Sequence, residues 1–183
     1  MAQKMTAFSS RQNGGGRTTH ANANNYLARK NLKKVSNTMA HLLYIRMNAN
    51  DYPGVAFIRS GCDISFISES FARKANLLDK IDRSDCQTIF VPAFGGGKLL
   101  GWVDDVQIRI DELNQHFMYR LGVMPDKHLP MYCQKKFDML LGTDLLFALK
   151  LNVDYGERGI TRRGKIAKFL TEEEIRREME DTY

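Results

Sequence analysis

The side chains with the most evident chemistry lie in one short stretch, residues 56–68, which reads Ala-Phe-Ile-Arg-Ser-Gly-Cys-Asp-Ile-Ser-Phe-Ile-Ser. Within it, Arg59 offers a permanent cation, Ser60 a hydroxyl and Asp63 a carboxylate. Apolar, β-branched and aromatic residues on both sides predict a strand, a tight turn with a close backbone approach at Gly61, and a second strand. The sequence therefore predicts that Arg59 and Ser60 lie in a tight turn between two strands.

The other residue types that often carry chemistry form no recognisable pattern. The cysteines are widely spaced and the histidines show no triad or metal-ligand spacing; these residues are Cys62, Cys86, Cys133, His20, His41, His116 and His128. We therefore expect reduced thiols, no metal and no cofactor. Cys62 is expected to be a small buried residue. Asp138 and Asp144 could suggest a carboxylate pair, but capping and loop roles explain them better, and Asp63 is better explained as a solvated turn residue than as a partner of Arg59.

Short strands separated by turn residues fill the sequence from residue 42 onward. Residues 48–54 (Asn-Ala-Asn-Asp-Tyr-Pro-Gly) predict a hairpin turn, and residues 89–103 predict a strand, a glycine turn and a strand. The remaining predicted strands are residues 42–47, 55–58, 64–67, 106–110, 117–123, 137–142, 151–155 and 159–170. Many short strands with close turns are typical of a mostly-β closed barrel.

Three short helices are predicted from their capping residues. Ser68 can cap a helix over residues 68–78, and either Thr143 or Asp144 can cap a second one. Residues 171–174 (Thr-Glu-Glu-Glu) form a capping box at the start of a charged C-terminal helix.

The positive charge is concentrated at the start of the chain. Residues 1–41 contain seven Lys and Arg and no Asp or Glu, and the whole chain has a net charge of +6, so residues 42–183 carry −1. Because residues 1–41 are rich in Gly, Asn and Ser, they predict a basic, largely disordered tail. Clustered cations can bind phosphates, so contact with nucleic acid stays an alternative to a solvated linker; a steep salt dependence of binding would favour it.

The length of 183 residues suits one domain with tails. We predict a folded domain over residues 42–175 and a charged helix end over residues 176–183. No apolar run approaches the ~18 residues of a membrane span, and the first residues lack the apolar core of a signal peptide. With the expectation of reduced thiols, these features favour a cytoplasmic or nuclear location.

In outline, residues 56–68 resemble the active-site loop of retropepsin-like aspartic proteases, in which two apolar residues precede Asp-Ser/Thr-Gly. Over about residues 42–175 the chain is similar to the retroviral-protease-like domain of the DNA-damage-inducible (Ddi-type) proteins. The blocks that carry this likeness are residues 43–45, 56–61, 82–83, 97–101, 106–108, 138–146 and 169–175. The resemblance implies a retropepsin-like barrel with a flap hairpin. We expect no ubiquitin-like domain before it and no ubiquitin-associated domain after it.

The resemblance also assigns site residues. It places Arg59, followed by Ser60 and Gly61, where the family has its catalytic aspartate. It assigns the flap tip to Phe94, Gly95, Gly96 and Gly97, for which an ordinary hairpin tip is an equally good explanation. Ser60 would bond across the dimer, or else bond its own backbone as a turn serine.

The family mechanism uses one aspartate from each of two chains, one acting as base and the other as acid. Arginine stays protonated and only donates, so Arg59 can fill neither role. The resemblance therefore implies a catalytically inactive pseudoprotease that binds a peptide or protein, as a homodimer or as a heterodimer with an Asp-bearing relative. Two alternatives remain: an aspartic-type endopeptidase acting with such a relative, and an adaptor whose basic tail contacts nucleic acid.

Overall fold

The computed structural model describes residues 43–91, 95–129 and 137–180, so the predicted basic tail lies outside the described part. The strands are β1 (Tyr44–Ala49), β2 (Tyr52–Ile58), β3 (Phe66–Ser68), β4 (Thr88–Val91), β5 (Gly95–Lys98), β6 (Gly101–Ile110), β7 (Gln115–Met124), β8 (Met139–Leu141), β9 (Asn152–Asp154), β10 (Gly159–Arg162) and β11 (Lys165–Lys168). The α-helices are α1 (Glu69–Lys74), α2 (Thr143–Ala148) and α3 (Glu172–Glu180).

Six of the strands close into a barrel in the order β1-β2-β8-β3-β7-β6, which confirms the predicted mostly-β barrel. Strands β9, β10 and β11 form a separate three-stranded sheet, and β4 pairs with β5. The barrel core consists of buried aliphatic side chains, among them Ile45, Met47, Ile58, Ile67, Val106, Ile108, Val123, Met139 and Leu141. Burying such side chains is the main stabilising term of a fold of this size.

Strand β8 lies between β2 and β3, although β2 and β3 follow each other in the chain. It runs parallel to β2, with Ile58 beside Leu141, and antiparallel to β3, with Phe66 beside Leu140. This insertion brings the segment that joins β2 to β3 against the end of β8. The positions of residues 59–65 are therefore set by β8, which lies about eighty residues further along the chain.

The first hairpin turn is shorter than the sequence suggested. Strands β1 and β2 stay paired up to Ala49 and Tyr52, so only Asn50 and Asp51 form the turn. Their φ angles are 47° and 65°, and positive φ at both central residues suits the right-handed twist of a two-residue hairpin. The prediction of a turn over residues 48–54 was wrong because Asn and Asp tolerate this conformation and the strands pair beyond the expected ends.

The helix predictions are confirmed at two of the three starts. The Phe71 amide donates to Ser68 Oγ at 3.1 Å, and the Glu174 amide donates to Thr171 Oγ1 at 3.2 Å while Glu174 Oε2 accepts from the Thr171 amide at 2.8 Å. Helix α1 ends at Lys74, before the predicted residue 78. The prediction of one strand over residues 159–170 was also wrong, because a turn divides it into β10 and β11.

Candidate functional site

The turn that follows β2 is closed by main-chain hydrogen bonds. The Arg59 amide donates to the Leu141 carbonyl at 2.9 Å, and the Cys62 amide donates to the Arg59 carbonyl at 3.1 Å. Ser60 and Gly61, the two central residues, are both exposed. The tight turn predicted here is confirmed, and it lies at the end of β8. The predicted close backbone approach at Gly61 was wrong, because a β-carbon there would meet nothing within 4 Å; the close approach is at Gly142 instead.

Thr143, at the start of α2, holds this turn from the other side. Its hydroxyl donates to the Ser60 carbonyl at 2.7 Å, and its amide donates to the Cys62 carbonyl at 2.7 Å. The N-cap of α2 is Gly142, without a side-chain cap. The prediction that Thr143 or Asp144 caps this helix was therefore wrong, because both side chains bind the loop instead.

A buried polar network lies directly behind the turn. Ser65 is fully buried; its hydroxyl donates to Asp144 Oδ1 at 2.6 Å, and its amide donates to Asp144 Oδ2 at 3.0 Å. The Gly142 amide in turn donates to Ser65 Oγ at 2.8 Å. Sequence reasoning missed Ser65, although a serine between Ile64 and Phe66 in an apolar run needs a buried partner.

Tyr119 on β7 lies beside the same network. Burial raises its pKa, and so does the neighbouring Asp144 carboxylate. Tyr119 therefore keeps its proton. With both the hydroxyl and the amide of Ser65 donating to it, the Asp144 side chain works as a structural acceptor.

The Arg59 side chain is half-buried and lies near an aromatic cluster. Its guanidinium carbon is 5.9 Å from the centroid of the Phe57 ring, within range of a cation–π contact. Phe57 packs against Tyr44 and Phe137, with ring centroids 5.1 Å and 5.8 Å apart. The guanidinium of Arg59 therefore places a permanent positive charge at the end of β2.

Cys62 and Asp63, at the end of the turn, have the burial that the sequence predicted. Cys62 is buried, and its thiol donates to the Ile64 carbonyl at 3.2 Å. Burial raises the pKa of this thiol, so it stays protonated. Asp63 is exposed.

Asp138 and Asp144 bind different groups. Asp138 lies on the segment leading into β8, and its Oδ2 accepts a hydrogen bond from the Val55 amide at 3.0 Å. Burial raises the pKa of Asp138, an effect that the Val55 amide and Lys74 partly offset. The structure thus gives both aspartates local roles in holding the backbone.

The hairpin assigned to the flap is present as β4 and β5. Gly95, Gly96 and Gly97 lie in β5, paired with β4, and not in the turn as predicted. A β-carbon at Gly97 would lie 2.8 Å from Met124 Sδ and 2.9 Å from the His128 β-carbon, so this strand needs a residue without a side chain. Phe94 lies outside the described residues, and the role of the glycines as a flap tip stays a prediction.

Residues 43–91, 95–129 and 137–180 contain no group of three or more His, Cys, Asp or Glu side chains placed to hold a metal ion. No helix in these ranges is long and apolar enough to cross a membrane.

The aspartyl protease family model matches residues 35–154 of the chain. The chain therefore belongs to the aspartyl protease family. It is 32% identical over 134 residues to DNA damage-inducible protein 1 of Candida glabrata, covering 73% of this chain and 28% of that protein. It is also 27% identical over 113 residues to Protein DDI1 homolog 1 of Homo sapiens, covering 62% of this chain and 26% of that protein. Within the family, it is a retropepsin-like domain of the Ddi1 type.

The fold agrees with a solved relative. The crystal structure of the retroviral protease-like domain of Ddi1 from Leishmania major aligns with a TM-score of 0.57 and 17% identity, covering 72% of this chain and 92% of that chain. The present chain spans less than a third of the length of the curated relatives it matches first.

Gly142 should be the residue of the site most sensitive to added bulk. A β-carbon there would lie 2.6 Å from the Cys62 carbonyl oxygen and 2.9 Å from that of Ile64. We expect Gly142→Ala to lower the free energy of unfolding by about 2 kcal/mol or more, because backbone must move. Gly61→Ala is the control, since its β-carbon would meet nothing within 4 Å. Urea unfolding measures both, and equal losses would contradict this account.

Asp138 should make stability depend on pH. Because burial raises its pKa, the folded state holds the proton more tightly than the unfolded chain does. The stabilisation that comes from the protonated Asp138 is present below the pKa of an aspartate in the unfolded chain, about 4. It is lost as the pH rises through the pKa of Asp138 in the folded state. Asp138→Asn keeps an acceptor for the Val55 amide, so we expect it to be more stable than the unchanged chain near pH 7.

Urea unfolding at several pH values measures this difference. The advantage of Asp138→Asn should shrink toward pH 4, and Asp63→Asn, which removes an exposed carboxylate, controls for the loss of one charge. An advantage of Asp138→Asn that does not change with pH would contradict the prediction.

Proposed function

We propose that this chain is a retropepsin-like domain that binds a peptide or protein partner without cleaving it. The observation that carries the proposal is Arg59 at the end of β2, in the turn where, by resemblance, the family has its aspartate. A guanidinium stays protonated and cannot accept a proton from water. A site with this residue in place of each aspartate has no general base.

The nearby carboxylates offer no substitute. Asp63 is four residues further along and exposed. Asp138 accepts from the Val55 amide, and Asp144 accepts from Ser65. Each is therefore either in solvent or engaged in holding the backbone, which supports a loss of catalysis.

Binding of a peptide does not need the aspartate. An extended peptide can add main-chain hydrogen bonds between a hairpin and the body of a barrel, and this chain keeps both the barrel and the β4–β5 hairpin. Phe90 on β4 leaves 72% of its surface exposed and supplies apolar contact area on the hairpin. These features support a role in peptide or protein binding.

Beside the turn, this chain has a surface that suits packing against a second chain. A groove of about 600 Å³ is lined by Ser60, Phe147 and Val153 among others, and Phe147 is 84% exposed. Strand β9 is an edge of its sheet among the described strands, and an edge offers unpaired backbone groups to a partner. This supports a dimer, and the second candidate function is an aspartic endopeptidase formed with an Asp-bearing relative.

Charge opposes a symmetric dimer. Two guanidinium groups ~4 Å apart at an effective dielectric constant of ~20 repel by ~4 kcal/mol. A carboxylate on a partner chain would turn this repulsion into attraction. We also expect the protein to act in the cytoplasm or nucleus, since Cys62 and Cys86 are free thiols in the described part of the chain.

Peptide cleavage tests the proposed function directly. We expect the chain to cleave no peptide of a mixed library between acid and neutral pH, and Arg59→Asp to gain cleavage with an acidic optimum, because two carboxylates can share a proton. Mass spectrometry of the library detects new peptide ends.

Arg59→Asn is the matched control, since an asparagine side chain has nearly the size of an aspartate side chain without its acid group, and this variant should stay inactive. Cleavage by the unchanged chain would overturn the proposal. Failure of Arg59→Asp to cleave would show that the cleft or the dimer has also diverged.

Self-association tests the charge argument. We expect Arg59→Asn to dimerise more tightly than the unchanged chain, by up to about a thousandfold in Kd, the equivalent of ~4 kcal/mol. Sedimentation equilibrium measures the Kd of both proteins. Phe147→Asp in the Arg59→Asn background should abolish the gain, whereas Met118→Asp, at another exposed apolar residue, should not. Equal Kd values for Arg59→Asn and the unchanged chain would contradict the prediction.

A further inference from the structure

A cavity of about 550 Å³ lies at the base of the β4–β5 hairpin, and none of its lining residues belongs to the turn at residues 59–61. Its basic side chains come from three separate segments. Arg83 precedes β4, Lys98 ends β5, and Lys127 and His128 lie in the short 3-10 helix after β7. The fold therefore gathers cations that are far apart in the sequence.

The positive charge of this cavity is not neutralised within residues 43–91, 95–129 and 137–180. In these ranges none of Arg83, Lys98 and Lys127 forms an ion pair, and the one acidic lining residue, Glu69, is already paired with Arg73 at 3.6 Å. Because residues 42–183 carry a net charge of −1, this is a local basic site and not a generally basic surface. An anion is the ligand that such a site favours.

The walls of the cavity are fixed by contacts between the three segments. His128 Nδ1 lies 3.3 Å from the Lys98 carbonyl oxygen, which joins the 3-10 helix to β5. The Cys86 sulfur lies 3.1 Å from the Arg83 carbonyl oxygen and 3.3 Å from that of Leu100, so its one S–H is shared between them and holds the segment before β4. These bonds hold together the backbone segments that carry the cations.

The floor of the cavity is apolar. Leu99, Leu100 and Pro125 line it; Leu99 and Pro125 are buried beneath the surface, and the half-buried Leu100 presents apolar surface to the cavity. Its volume falls within the ~300–1,000 Å³ typical of ligand sites, which combine apolar walls with a few charged groups. A free inorganic anion would leave the apolar floor unused, whereas a peptide has both kinds of group.

We propose that this cavity binds an acidic segment of a partner peptide. Asp or Glu carboxylates contact Arg83, Lys98 and Lys127, and a neighbouring apolar side chain lies on Leu100. This site is additional to the proposed function and does not depend on Arg59.

Fluorescence anisotropy with the full chain tests the site, using a labelled Leu-Glu-Glu-Glu-Leu peptide and its Leu-Gln-Gln-Gln-Leu counterpart. The triple variant Arg83→Gln, Lys98→Gln, Lys127→Gln should bind the glutamate peptide at least about tenfold more weakly than the unchanged chain, since each charge-assisted bond contributes measurably. The control variant Arg158→Gln, Arg163→Gln, Lys165→Gln makes the same change of charge at exposed positions outside the cavity.

The control variant should change the affinity by less than about threefold, because exposed charges act weakly at a distance. The cations of residues 1–41 are the same in all these proteins, so the difference between the two triple variants reports the cavity alone. Thermal unfolding midpoints of both variants should match, which excludes misfolding.

Equal affinity of the two triple variants for the glutamate peptide would overturn the proposal, and so would equal binding of the glutamate and glutamine peptides. Binding of a phosphoserine peptide or inorganic phosphate without binding of the glutamate peptide would also overturn it. Arg59→Asp should keep the affinity of the unchanged chain, so this site and the proposed function can fail independently.

Discussion

The close approach of the loop to Gly142 is the contact on which the site depends. Strand β8 fits between β2 and β3 only if its end can lie against the carbonyls of Cys62 and Ile64, and any side chain at Gly142 would collide with them. The hydrogen bonds of Thr143 and Ser65 then fasten the loop to the start of α2. The turn, the end of β8 and helix α2 can therefore pack together only because Gly142 has no side chain.

The hydrogen bonds that close the turn at residue 59 use its main-chain atoms and not its side chain. They use the amide and carbonyl of Arg59 and the carbonyls of Ser60 and Cys62. Main-chain bonds of this kind form with almost any residue in place. The shape of this loop therefore does not depend on which side chain stands at its first position.

Much of the fold followed from local patterns in the sequence. Alternation along β6 and the capping motifs at Ser68 and Thr171 depend only on near neighbours in the chain, and the structure agrees with them. The sequence-based predictions were wrong where contacts with other strands or segments decide the local structure. In the first hairpin, pairing extends two residues further along β1 and three further along β2 than its turn residues suggested. The glycines of β5 are strand residues paired with β4, and Gly97 lies so close to Met124 and His128 that a β-carbon would not fit.

For the site, the sequence by itself determined the residues of the turn, their resemblance to a retropepsin loop and the presence of a cation, Arg59, in that turn. Only the tertiary structure decided what holds that turn, because Ser65 and Asp144 are nearly eighty residues apart and meet only when β8 inserts. The same holds for the basic cavity, whose three segments show no common motif. Local order follows from neighbours along the chain, whereas a site made of distant segments depends on which strands pair, and that is settled by burial of the whole core.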